Sequence, residues 1–423
     1  MGVLSADAQE TDALGTYTPY SLYGLGDIAK QGTANNKSMG GIGIGVRDNR
    51  YINYMNPAAI TERDTLAFML DFGLNSSNFF SSSRVSGSDK KASTAYNAFN
   101  IQNFVLTAPI YRKSAFVVGI TPFSHIGYKF EDTENDPVLV SKYGDIKYQK
   151  YGEGTVNQLF LGGAMNFMKD FSVGVQYIYY FGALNRYSNI LFNSDNSFRS
   201  TQTGWDYSLG GHGVKVGLQY FTRLGEKKNY TLTVGASYRM AANIKGDYTR
   251  FAYAVGASTD TVMHETTNNA KIKLPDEFAV GLSLRKTDKW LVGVDYTMNN
   301  WKKSAFSKTP GVEITTNTAY SVNLGVEYTP NRYDIRYYLK RVTYRAGAYY
   351  DRTYMKLGSQ SINAYGVTVG FSLPIYRYYN ALNLAVDVGQ RGKLKNNLIK
   401  ETYVQFHIGI SLHDIWFVKY RYE

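Results

Sequence analysis

The chain contains no cysteine in 423 residues. Disulfides and thiolate metal sites are therefore excluded, while the compartment stays open. Only nine prolines punctuate it. No apolar run reaches the roughly 18 residues that a membrane-spanning helix needs. The mean hydropathy of -0.31 likewise argues against helical spans. It does not argue against a barrel, whose strands alternate apolar and polar residues and leave only a weak hydropathy signal. The five histidines show neither His-x3-His nor HExxH spacing. There is no GxSxG elbow and no P-loop. After Gly41-Ile42-Gly43 the third glycine comes too early for the dinucleotide fingerprint, and no βαβ unit surrounds it. No catalytic residue, metal ligand or cofactor site is assigned, and an enzyme is not expected. The net charge is +12, but the cations are dispersed in turns and loops. No basic helix or aromatic RNA motif accompanies them, so no nucleic-acid partner is expected. Loop lysines and arginines either meet lipid phosphates or are simply solvated.

What the chain has in excess is tyrosine, with 38 copies, beside 22 phenylalanines and 40 glycines. Aromatic residues favour strands and gather where apolar surface meets water. Alternation is strict near the end of the chain. Val404, Phe406, Ile408 and Ile410 point one way; Tyr403, Gln405, His407 and Gly409 point the other. Segments 278–285, 290–296, 365–373 and 382–389 repeat the pattern. A soluble sandwich also alternates, but the second face here is rich in Gly and Ser rather than Lys and Glu. Connections also alternate in length, tight at "MKDF" and "RKTDKW", long near 77–98, 127–154, 188–200, 251–262, 304–312, 353–359 and 391–400. Short turns at one end and long loops at the other mark an all-β transmembrane antiparallel β-barrel.

About fourteen strands are expected, near 65–76, 99–109, 114–126, 155–168, 170–188, 200–222, 228–250, 263–286, 288–303, 313–328, 341–352, 360–374, 380–391 and 401–412. The long segments should be extracellular and mobile. Residues 329–340, "PNRYDIRYYLKR", break the scheme with a long turn on the short side. At the front, Ala6-Asp7-Ala8 has the form of a signal-peptidase site without the charged and apolar regions that precede one. Residues 1–8 are either a signal-peptide remnant or an ordinary N-terminus. The C-terminal "DIWFVKYRYE" alternates aromatics like a barrel-assembly signal, or like a plain edge strand.

Closing fourteen strands leaves a lumen wider than side chains of an eight-stranded barrel would fill. Residues 9–62 precede the barrel domain, 63–423, and lack its alternation. They hold "SMGGIGIGV" and "YMNPAAI". Asn56 followed by Pro57 and Ala58 reads as the cap and first turn of a short helix. A compact small-residue element beside a wide lumen reads as a hatch or plug, with Asn56, Pro57 and Ala58 as its hatch and gating residues. Gly119 and Pro122 fall in the third strand and permit a kink, or merely mark a strand end.

Gly40 to Ile60, with Asn56-Pro57-Ala58, resembles the hatch segment of the FadL-type outer-membrane transport family. "PIYRKSAFVVGITPFS", "KLPDEFAVGLSLRKTDKWLVGVDYTMNNW" and "VTYRAGAYYD" resemble further stretches of that family. The resemblance implies a fourteen-stranded barrel with a hatch in a Gram-negative outer membrane. It implies passive uptake of hydrophobic small molecules, such as long-chain fatty acids, and release sideways at a kink in the third strand. The expected partners are outer-membrane lipid and a hydrophobic ligand. Barrels of this type also serve as structural subunits of larger secretion machines, and a barrel-assembly complex could use one in the same way, with other outer-membrane or surface proteins as partners. Lumenal Arg239, Arg345 and Tyr349 keep that alternative open, because a transporter needs an apolar cavity and a scaffold does not.

Overall fold

The computed structural model describes residues 14–64, 66–84, 91–111, 113–192, 198–225, 229–256, 258–304, 315–357, 360–375, 379–394 and 398–415. The signal-peptidase motif and the end of the C-terminal aromatic stretch lie outside the described residues.

The strands are β1 (Asp27–Ile28), β2 (Ala67–Arg84), β3 (Lys91–Tyr111), β4 (Ser114–Thr133), β5 (Ile146–Phe167), β6 (Phe171–Phe192), β7 (Ser200–Leu224), β8 (Tyr230–Arg239) and β9 (Ala242–Val255). They continue as β10 (Thr259–Leu274), β11 (Glu277–Lys286), β12 (Trp290–Asn300), β13 (Thr315–Thr316), β14 (Thr318–Tyr328), β15 (Thr343–Leu357), β16 (Gln360–Pro374), β17 (Ala381–Arg391) and β18 (Lys400–Ile415). Short helices are α1 (Ala34–Lys37), α2 (Pro137–Tyr143) and α3 (Tyr338–Arg341). The pairs β8/β9 and β10/β11 are each one wall strand with a break, at Met240-Ala241 and Pro275-Asp276. β13 prolongs β14, and β1 stands inside. Fourteen antiparallel wall strands remain, closed where β18 pairs β2 from Lys400↔Ser82 to Ile415↔Ala67.

Wall alternation follows the sequence. Val367, Val369, Phe371, Phe406, Ile408 and Ile410 are outward and exposed. Their neighbours Thr368, Asp387 and His407 are inward and buried. No apolar core explains an outward row of Val, Ile and Phe, whereas a lipid belt does. The chain is an outer-membrane-type β-barrel.

Several expected loops are largely strand instead, 251–262 among them, where β9 runs to Val255 and β10 starts at Thr259. Residues 77–84 and 91–98 belong to β2 and β3; 127–133 and 146–154 belong to β4 and β5. All four strands, β2 to β5, therefore exceed the 9–11 residues that cross a bilayer. Beyond the lipid both faces meet water or the hatch, so apolar alternation vanishes while backbone pairing continues. β10 shows this directly, being exposed on both faces over most of Thr259–Asn269. His413 lies in β18 and is buried.

Candidate lumenal site

Residues 14–64 occupy the barrel. Asn56 caps a 3₁₀ turn, Pro57–Thr61, by accepting from Ala58 N–H, with Pro57 at the first position. The Asn56 amide then donates to Ile44 O (2.9 Å), Leu218 O (3.2 Å) and Ala236 O (3.3 Å). One side chain thus joins two stretches of the hatch to two wall strands. Ala58 is fully buried, and its carbonyl accepts from Ser172 of β6 at 2.7 Å.

The small inward residues of the wall are the seats of this element. A Cβ on Gly217 would lie 2.7 Å from the Pro57 ring, and one on Gly174 2.7 Å from Ala58 N. A Cβ on Gly347 would collide with the Gly40 backbone, and one on Gly409 would lie 2.8 Å from Ala34. Gly281 meets Gly45, and there Asp295 of β12 takes over. Its carboxylate accepts from three consecutive amides, Gly43 (2.5 Å), Ile44 (2.7 Å) and Gly45 (3.3 Å). Successive N–H groups turned to one anion form a strong local clamp.

Charge fills the short-turn end of the lumen. Arg50 reaches both Asp48 and Glu327, the latter at 2.6 Å. Arg285 lies 2.8 Å from Asp48, and Arg345 2.9 Å from Glu327. Arg47 bonds Glu62 (2.9 Å) and Gln219 (3.1 Å). Breaking a buried pair on one side is costly, because it strands the other charge. Towards the long-loop side a cavity of about 350 Å³ remains between hatch and wall. Its lining mixes Tyr54, Phe160 and Trp301 with Lys30, Asp295 and Asp387. Lys30 pairs with Asp351 at 2.7 Å and lies 3.0 Å above the Tyr349 ring. Burial pushes the nearby Lys37 ammonium down to about 7.

Among the described residues the wall has a seam between β3 and β4. The β3–β4 ladder runs from the turn to Phe104↔Ile120, and among the described residues these strands do not pair above it. The β4 register shifts between Pro122 and Ser124. Gly119 lies below, in an unbroken ladder against Val105 and Phe160. The hatch stitches both lips. On β4, β1 pairs Asp27↔His125 and Ile28↔Ser124, and Thr18 N–H donates to Gly127 O at 3.1 Å. On β3, Asn100 donates to Gly15 O (2.5 Å), Gln102 to Gly32 O (3.0 Å), and Tyr96 stacks on Tyr17 at 4.8 Å. The sequence reading missed Asp295 and the glycine seats; the "SMGGIGIGV" run was the available hint of close backbone contact.

A family model described as BamG matches residues 1–423, the whole chain. The chain belongs to the BamG family. Among curated proteins none matches it in sequence. In three dimensions this BamG-family barrel is similar to a Pseudomonas aeruginosa FadL homologue, with 12% identity, a TM-score of 0.58, and 92% of this chain and 99% of that one covered. It is similar to the Pseudomonas putida toluene transporter TodX at 15% identity and TM-score 0.56, covering 92% and 98%. The Ralstonia pickettii toluene transporter TbuX follows at 16% and 0.55, covering 90% and 98%. At these identities the likeness shows the fold, a FadL-type barrel with an N-terminal hatch.

Proposed function

We propose that this BamG-family protein is a structural subunit of a larger outer-membrane protein complex, of the secretion or barrel-assembly kind, with its lumen held shut. The observation that carries this is the hatch's attachment. Its backbone rests on glycines around the wall, Asp295 clamps three of its amides, and buried ion pairs close the short-turn end. A ligand passing that end would have to uncover several of these charges, each at a cost of several kcal/mol. A passive channel gains nothing from such a barrier. Residues 14–64 act as hatch, and Asn56, Pro57 and Ala58 fix one conformation of it.

A second reading is a channel for hydrophobic small molecules, long-chain fatty acids among them. The cavity of about 350 Å³ and the seam at Pro122 favour it. So do the toluene transporters that share the fold. Ala58→Trp separates the two, because no space exists at that buried position and the displaced hatch leaves strand pairing intact. In the structural subunit, Ala58→Trp lowers recovery of stoichiometric partners in mild detergent, and cells take up a fluorescent fatty acid equally with and without the protein. Uptake that requires the protein and changes in Ala58→Trp establishes the channel and refutes the structural reading.

A further inference from the structure

Residues 329–342, between β14 and β15, form the longest connection on the short-turn side. The segment is internally built. Asn331 N–H donates to Lys340 O at 2.8 Å. The Asp334 carboxylate accepts from Arg336 N–H (3.0 Å) and Tyr337 N–H (2.7 Å), and Lys340 Nζ lies 3.5 Å from it. It is also anchored. Arg332 sits 2.7 Å from Asp288, in the β11–β12 turn, and 6.0 Å from the Tyr379 ring, just before β17. Those two turns are separated by β12, β14, β15 and β16 around the wall. One guanidinium reaches both only by lying beneath the mouth. Arg332 and Arg341 accordingly share a crevice with Tyr51 of the hatch. The return leg is fixed at the rim, where Tyr338 OH donates to Pro374 O (3.0 Å) and Tyr344 OH to Leu339 O (3.1 Å).

This ordered lobe turns apolar side chains to water. Ile335 is 96% exposed, and Tyr333, Tyr337 and Leu339 are each more than half exposed. Arg336 and Lys340 stand exposed among them. Solvated turns are made of Gly, Asn, Asp, Ser and Pro. Clustered Tyr, Ile, Leu and Arg on a preorganised loop is the composition of an interface centre.

We propose that this face docks a protein on the short-turn side of the membrane, with an apolar pocket for Ile335 and carboxylates facing Arg336 and Lys340. The proposal rests on the structural-subunit reading and names where one partner binds. Charge sets the partner's chemistry, since the segment carries four cationic side chains and one acidic one. Position argues for protein over lipid. The Arg332 anchorage, between Asp288 and Tyr379, holds the base of the segment across the mouth, away from the exposed rim residues Tyr328 and Ile375.

The test uses the full chain in its own membrane, with a photoreactive benzophenone amino acid in place of Ile335. The expected result is one light-dependent adduct with a second protein. That protein, once purified, binds the nanodisc-embedded wild type. Its affinity falls with salt, and falls about tenfold or more with Arg336→Glu combined with Lys340→Glu, as loss of two complementary charges predicts. Heat-modifiable gel mobility confirms that both variants keep the barrel. An adduct with phospholipid, an adduct with a second copy, no adduct, or binding indifferent to the charge reversal each overturns the proposal. If stoichiometric partners still co-purify while position 335 gives no adduct, the docking face fails and the structural reading stands. If none co-purifies, both fail.

Discussion

Asp295 stands on β12, about 250 residues from the amides that it holds. Nothing around it in "VGVDYTMNN" distinguishes it from any inward polar residue of a barrel strand. Asn56-Pro57-Ala58 was legible because a cap and its turn are local. Asp295, and Glu327 with its arginines, were not, because their partners arrive only when the barrel closes. Replacing Asp295 by Ala removes the acceptor of three buried N–H groups and leaves the wall ladder intact. Hydrogen bonds to a charged group contribute about 1.5–3 kcal/mol each, so hatch docking should weaken by roughly 3 kcal/mol or more. The expected outcome is rapid proteolysis within residues 39–53 in detergent, with unchanged heat-modifiable mobility. Wild-type resistance in Asp295→Ala would mean that the glycine seats alone retain the hatch.

Strands were readable where lipid wets one face, and misread where it does not. β16 is legible to its observed bounds because Val367, Val369 and Phe371 alternate with small residues. The upper parts of β2 to β5 read as loops because Ser, Asn, Lys and Tyr there follow no apolar period. Their structure comes from cross-strand pairing, such as Lys129↔Tyr151 and Thr133↔Lys147, which one strand's sequence does not display. This changes the expected protease map. Trypsin added to intact cells should cut at Lys142 in α2, an exposed seven-residue helix between β4 and β5. Lys129, Lys147 and Lys150 should resist, since a paired strand cannot enter a protease cleft without unzipping. Mass analysis of the fragments decides it, and cleavage at Lys147 or Lys150 before Lys142 would show that the ladder does not persist above the membrane.

Wall and plug are separable in the whole molecule, and that separation exposes the lumen to measurement. The wall closes on itself through the β17–β18 and β18–β2 ladders, without help from the hatch. The hatch contributes β1 alone to the sheet, at the seam beside β4. A barrel of this circumference lies close to water-filled porins in width, so what prevents conduction is the plug and its ion pairs. The intact protein in a planar bilayer should therefore be electrically silent. Deleting residues 14–64 should leave a heat-modifiable barrel that opens large, steady conductances, because Asp48, Arg50 and the glycine-seated backbone no longer fill the bore. Disruption of single anchors, as in Asp295→Ala, should give brief openings between those extremes. Steady large conductance from the wild type would show that the buried charges do not close the lumen. Silence from a folded hatch-deleted barrel would instead place the barrier in the wall's own inward side chains.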